Sequence, residues 1–247
     1  MENKSSFGRD PDDYRRYRPQ YPHEFFAYLA GLCEHREAAL DCATGNGQAA
    51  VGLAEFFDSV AAFDSSVDQI ASAIDHPKVK YRVAHAEDLP YAADSFDLIA
   101  VAQGAHWFDL PAFYGEVERV ARRRAVIAIW GYSYCVVSPE VDAIVARTLL
   151  RPIERYWAEG NHVIKDRYQT IEFPFAEIEP PEFMMRPVWD RNSFIGYLQT
   201  WSAYKRYLLE HEDDPAELLE EQLEVLWPAT TPREVRFELV MRIGRVV

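Results

Sequence analysis

Ala39-Leu40-Asp41-Cys42-Ala43-Thr44-Gly45-Asn46-Gly47 is the stretch around which this chain is read. An apolar run, Ala38 to Leu40, ends on an acid, crosses a loop of small residues and opens into Gln48–Ala54. The pattern predicts strand, tight turn and helix. Glycine is needed where the backbone takes positive φ or approaches a ligand closely. The helix start that follows offers unpaired N–H groups. A carboxylate at the strand end repels a pyrophosphate and welcomes an amino group, so Asp41 argues against a dinucleotide.

Downstream, Ser59 to Asp64 reads as a second short buried strand, again ending on an acid. Asp64 follows the loop by about the twenty residues expected of a ribose-binding acid in a βαβ unit. The bland reading is a helix cap, for which Ser65 and Ser66 compete. Val67 to Ile74 has helical spacing, and Val79 to Ala84 alternates as a third strand. Asp94 to Gln103 is a turn leading into a continuous apolar strand, as parallel sheets require. Asp109 is placed to N-cap a helix carrying Phe113, Val117 and Val120 on one face. Ala125 to Trp130 is a fifth strand, with Trp130, Tyr132 and Tyr134 closing it. In an open α/β sheet the carboxyl ends of the strands face the ligand crevice, so Gln103, His106 and Trp107 belong to its rim.

Asp41 to Gly47 resembles motif I of the class I S-adenosylmethionine-dependent methyltransferases. Ala43 stands where that family most often has glycine, and alanine does not freely adopt positive φ. Tyr17-Arg18-Pro19-Gln20-Tyr21-Pro22 resembles the entry of one branch, where the segment folds over the cofactor. His85-Ala86-Glu87-Asp88-Leu89-Pro90 resembles the adenine-contacting segment, with His85 replacing the usual Asp. Ala102-Gln103-Gly104-Ala105-His106-Trp107-Phe108-Asp109 is similar to the branch that includes trans-aconitate and ubiquinone/menaquinone-type methyltransferases, as is Thr200-Trp201-Ser202-Ala203-Tyr204. Arg122-Arg123-Arg124 replaces the family's Lys-Pro-Gly-Gly turn and reads as a solvated loop.

The resemblance implies an α/β, Rossmann-like, doubly wound sheet of seven mostly parallel strands with the last antiparallel. It covers most of the chain, weakest in the insertion, and implies residues 1–247 as one domain. Residues 1–34 would be lid and first helix, 35–137 the cofactor core, 138–181 a helical cap insertion, and 182–247 the completing strands and helices. The implied cofactor is S-adenosylmethionine, leaving S-adenosylhomocysteine. Its expected contacts are Tyr17, Arg18, Asp41, Ala43, Gly45, Gly47, Asp64, Ser65, Ala86, Glu87 and Gln103. Acceptor contacts are expected from His106, Trp107, Trp130, Tyr132, Arg147, Arg151 and Trp201. A carboxylate acceptor needs no base; for a hydroxyl or carbon acceptor His106 is the candidate. A non-catalytic S-adenosylmethionine-binding domain is the other reading, since methyl transfer leaves no obligatory nucleophile.

Composition narrows the partners. The chain has 247 residues, 49% hydrophobic and 14% aromatic, enough for a sizeable core. Its net charge of −14 argues against nucleic acid and against an anionic membrane surface. Cys33, Cys42 and Cys135 show no metal spacing, so no metal is expected and a reduced, cytoplasmic setting is. The first residues, Met1 to Ser6, carry no apolar signal stretch. Beyond Ser138 the strand pattern stops. Arg147, Arg151 and Arg155 recur about a turn apart, as an acceptor-facing cap or as a solvated helix paired with Glu140, Glu154 and Glu159. Phe183 to Trp189 is the sixth-strand candidate, Ser193 to Tyr207 and Ala216 to Leu226 are helices, and Arg233 to Ile243 is the closing strand.

Overall fold

Apolar runs bounded by tight turns form a parallel array of β1 (Ala38–Cys42), β2 (Ser59–Asp64), β3 (Val79–Val83), β4 (Phe96–Ala102) and β5 (Ala121–Tyr132). The structure, a computed structural model, describes residues 17–158 and 160–247 and divides into two compact units. The first holds Tyr21–Ser133, His162–Phe183 and Leu239–Val247; the second holds the described part of Met1–Gln20 with Tyr134–Asn161 and Met184–Glu238.

In the first unit β6 (Ala176–Ile178) and β7 (Phe237–Arg245, from Leu239 on in this unit) complete the sheet. The order is β3-β2-β1-β4-β5-β7-β6, with β7 antiparallel to both neighbours. These seven strands are the expected doubly wound order, and among the described residues Met184–Met185 adds a short eighth by pairing with Phe237–Glu238 of β7. β4 is buried almost throughout, as a strand covered on both faces must be. Helices α1 (His23–Leu32), α2 (Gln48–Ala54), α3 (Val67–Ala71) and α4 (Leu110–Val120) belong to the same unit. α1 buries Phe25, Phe26 and Leu29, and the Phe25 ring lies 5.1 Å from that of Trp130. α4 buries Phe113, Val117 and Val120, and Asp109 caps it by accepting from Ala112 N at 3.3 Å.

Several boundaries differ from the sequence reading. The sixth strand is Ala176–Ile178, inside the stretch read as an insertion, not Phe183 to Trp189. Pro187 splits the latter into two-residue strands, Met184–Met185 and Val188–Trp189, both in the second unit. The closing strand starts at Phe237; Arg233–Glu234 pairs instead with Val188–Trp189. Arg122-Arg123-Arg124 is not a solvated loop but the first turn-in of β5. Arg122 there bonds both oxygens of Asp97 at 3.0 Å, and Arg124 sits at φ 64. α3 stops at Ala71, and the expected helix from Ser193 to Tyr207 breaks at Thr200, whose hydroxyl donates to Tyr197 O at 2.6 Å.

The second unit contains α5 (Pro139–Val145), α6 (Arg191–Gln199), α7 (Ser202–Glu210) and α8 (Pro215–Leu223). Its core is aromatic: Phe194 against Trp227 at 5.1 Å, and Tyr197 against Phe237 at 5.2 Å. Among the described residues no helix is long and apolar enough to cross a membrane.

Candidate active site

At the carboxyl end of β1 the chain turns through three residues with positive φ: Ala43 at 53, Gly45 at 55 and Gly47 at 88. Ala43 thus takes the conformation that the sequence reading withheld from it. Such a backbone costs an alanine roughly 1–2 kcal/mol relative to glycine. The methyl is used, however: a Cβ at Gly104, just past β4, would lie 2.7 Å from the Ala43 Cβ. Gly47 is the N-cap of α2, so the loop delivers its backbone to a helix start.

Asp41 is fully buried. Its Oδ2 accepts from the Thr44 hydroxyl at 2.5 Å, while Oδ1 has no hydrogen-bond partner among the described residues. Burial pushes the carboxyl up to about 7, against the pull of the Thr44 hydroxyl and the Ala50 amide. At the end of β2 Asp64 spans two backbone amides. Its Oδ2 accepts from Gly45 N and its Oδ1 from Ser66 N, each at 2.9 Å. Ser66, not Asp64, caps α3 through its side chain. Asp64 therefore fastens the loop after β1 to the loop after β2, in which Ser65 is the first residue.

The loop after β3 places Ala86 in the interior and Glu87 at the surface, where Glu87 Oε1 accepts from Asp109 N at 3.0 Å. Two residues unread in the sequence hold this loop from α4. Glu116 accepts from Leu89 N at 2.7 Å, and Arg119 donates to Leu89 O at 2.9 Å and Tyr91 O at 2.7 Å. The Arg119 guanidinium keeps the Glu116 carboxyl below its ordinary range. Their spacing of one helical turn was the available signal.

Past β4, Gln103 also adopts positive φ, 57, and its Nε2 donates to Tyr132 O at 3.2 Å. His106 lies on the next turn with its ring 4.8 Å from that of Trp107, which is 41% exposed. His106 Nδ1 is buried with no hydrogen-bond partner among the described residues, and desolvation pushes the imidazole down to about 4. Trp130 is fully buried between Tyr21 at 5.7 Å and Phe25, and Tyr132 is nearly so, 6.2 Å from Tyr21. Asp41 and Asp64 thus lie in the last residues of β1 and β2, and Ala43, Gly45, Gly47, Ser65, Ala86, Glu87, Gln103, His106 and Trp107 follow the carboxyl ends of neighbouring parallel strands. Trp130 and Tyr132 are within β5 itself.

The remaining expected contacts belong to the second unit. Tyr17 packs where a Cβ at Gly196 would lie 2.7 Å from its ring, and Arg18 stands 5.5 Å from the Tyr197 ring centroid. Trp201 is packed among Tyr134, Trp157 and Tyr197, at 5.6, 5.5 and 5.7 Å. Arg147 donates to Gln222 Oε1 at 2.5 Å, and Arg151 is exposed. Tyr14, Arg15 and Arg16 of the expected lid, and Glu159, lie outside the described residues.

Residues 40–129 match the family described as the methyltransferase domain. A Dictyostelium discoideum protein described as a methyltransferase is 34% identical over 221 residues, 88% of this chain and 84% of the relative. A Saccharomyces cerevisiae protein described as an S-adenosylmethionine-dependent methyltransferase is 22% identical over 245 residues, 82% of each chain. Among solved structures, one from Anaeromyxobacter dehalogenans described as a type II methyltransferase is similar with a TM-score of 0.89. It is 39% identical, covering 94% of this chain and 99% of its own.

Proposed function

This chain belongs to the S-adenosylmethionine-dependent methyltransferases, and on that premise we propose that it methylates a small molecule carrying a carboxylate. S-Adenosylmethionine is its methyl donor. When bound, the cofactor supplies an activated sulfonium methyl; the protein's share is alignment and exclusion of water.

The residues at the strand ends fit that group, and the observation that carries the reading is Asp41. A buried carboxylate oxygen without a partner is costly unless a cation or donor meets it. The cofactor's ammonium has that chemistry, and a pyrophosphate does not. The backbone of Ala43, Gly45 and Gly47 suits close approach, and the Asp64 carboxylate, flanked by Ser65, suits vicinal hydroxyls. Ala86, Glu87 and Gln103 complete the proposed set. His106, uncharged at neutral pH because burial disfavours the imidazolium, is a weak base and is assigned to positioning. An acceptor that is already ionised needs no stronger one, which favours the carboxylate reading implied by the trans-aconitate branch.

The test is methyl release from labelled S-adenosylmethionine across matched small carboxylates and alcohols. Turnover confined to the alcohols would overturn the carboxylate assignment, and no turnover with the cofactor bound would favour the non-catalytic binder. For the cofactor, Asp64→Ala should weaken S-adenosylhomocysteine binding by about 1–3 kcal/mol, the cost of unpaired hydroxyls together with the loosened Gly45 amide. Calorimetry returning the wild-type constant would move the ribose contact elsewhere.

Asp41 adds a pH dependence. Its carboxyl titrates near 7 when folded and near about 3.9 when unfolded. The folded chain therefore binds the extra proton between those values, and this group's stabilising contribution is lost as pH rises from about 4 to about 7. A cation beside Asp41 reverses that preference. S-Adenosylmethionine affinity should then rise with pH up to about 7 and fall again above about 8, where the ligand's own ammonium deprotonates, with Asp41→Asn weaker and lacking that rise. The same pH profile in Asp41→Asn would remove Asp41 from the linkage.

A further inference from the structure

The order of the strands says where the cofactor's base falls. Asp41 ends near β1 and was given the ammonium; Asp64 ends β2 and was given the ribose. β3 is the other neighbour of β2, so the same line continues over the loop after β3, residues 84–95. Neighbouring strands lie about 4.8 Å apart, a step that suits successive groups of one ligand.

That loop has little to hold it from within. It contains no regular strand or helix, and most of its residues are exposed, with only Ala86 and Leu89 buried. Such a segment ordinarily leaves its backbone to water and moves. Here α4 takes hold of it instead. Both polar groups of Leu89 are claimed by side chains one helical turn apart: Glu116 Oε2 accepts from Leu89 N at 2.7 Å, and Arg119 donates to Leu89 O at 2.9 Å. The same guanidinium donates to Tyr91 O at 2.7 Å, so its planar fork spans two carbonyls of the loop. Glu116 and Arg119 orient each other through two further bonds, at 2.8 and 2.6 Å. The backbone at the end of α4 continues the hold, with Arg119 O accepting from Asp94 N at 3.1 Å and Val120 O from Ser95 N at 2.8 Å.

We infer that Glu116 and Arg119 are positioning residues for the base of the cofactor, acting through the backbone of Leu89 and Tyr91. Neither side chain touches the ligand in this reading. They fix the loop beforehand, so that binding the base does not have to order it, and a loop already in place discriminates between bases by its hydrogen-bonding groups. The inference rests on the cofactor site proposed above and deepens it at one end only.

The experiment compares three ligands on the full chain by calorimetry. S-Adenosylhomocysteine is the reference. S-Inosylhomocysteine alters only the base, replacing its exocyclic amine by an oxygen, and sinefungin alters only the region of the sulfur. Wild type should bind the reference at least tenfold tighter than S-inosylhomocysteine. In Arg119→Met and in Glu116→Ala the reference should bind about tenfold more weakly, and the preference between bases should fall below threefold. The ratio of the reference to sinefungin should stay within twofold of wild type. Glu116→Gln still offers an acceptor to Leu89 N and should keep at least half of the base preference. Thermal melts on the same samples establish that each variant is folded; where one is not, Arg119→Lys replaces it and should fall between wild type and Arg119→Met. A base preference unchanged in these variants, whatever the overall loss of affinity, overturns the inference and leaves the pair a structural brace. So does Glu116→Gln falling as far as Glu116→Ala, or a wild type indifferent to the base. Wild type binding none of the three ligands would overturn the proposed function, and this inference with it.

Discussion

Gly47→Val is expected to lower stability by about 3 kcal/mol and to weaken S-adenosylhomocysteine binding about a hundredfold. Two costs combine. Valine at φ 88 is strained by roughly 1–2 kcal/mol. Its Cβ would also meet the Tyr81 ring, with Cζ at 2.8 Å and Cε1 at 3.0 Å and the hydroxyl oxygen closer still. Tyr81 cannot swing freely, because its hydroxyl donates to Ile74 O at 2.8 Å, and overpacking of this kind costs about 1–3 kcal/mol. The two parts separate in a double variant. On a Tyr81→Ala background the valine should cost only the backbone share. Urea unfolding that shows the same loss on both backgrounds would assign the whole effect to φ.

Asp97→Ala is the second large effect, again about 3 kcal/mol, at the far end of β4 from the crevice. The side chain is 5% exposed and its Oδ2 accepts from Glu37 N at 2.9 Å and Ala38 N at 3.0 Å. Deleting it strands two backbone donors, each worth about 1–3 kcal/mol when buried and unpaired. Arg122 adds less: it is 32% exposed and keeps Glu37 at 2.8 Å, so water and a second carboxylate share its charge. Asp97→Asn retains an acceptor oxygen and should lose about half as much. A loss below about 1 kcal/mol for the alanine would show that the β1 entry is held by its neighbours in the sheet rather than by this carboxylate. Cofactor affinity should not change in either variant.

The two residues also show what a sequence can and cannot disclose. The loop from Asp41 to Gly47 was legible because acid, small residues and helix start are adjacent, so the local pattern is the structure. The Asp109 cap and the α4 face of Phe113, Val117 and Val120 were legible for the same reason. Asp97 was not, since its partners are distant in sequence and meet it only when β1 and β4 are paired. The triple arginine misled because charge alone looks like solvent exposure, whereas Arg122 extends along β5 to a buried carboxylate. β6 is three residues with little burial, too short for any period, and its place was taken in the reading by the more apolar Phe183 to Trp189. Ala43 departed from its intrinsic preference because Gly104 packs on its methyl.

The order of the sheet also bears on how the protein is made. β6 pairs with β7 and with no other strand among the described residues, and β7 follows it in the chain only after the other unit's residues. Between them the chain lays down Met184 to Glu238, which belong to the other unit. At roughly 5–20 residues per second β6 waits several seconds for its partner, while β5 keeps an open edge. An open edge is a template for stray pairing. The two strands meet that delay differently. Glu177 stands at the centre of β6 and puts a charge on that waiting edge, whereas the stretch of β5 that β7 later pairs, residues 126–132, is apolar and stays open until β7 arrives.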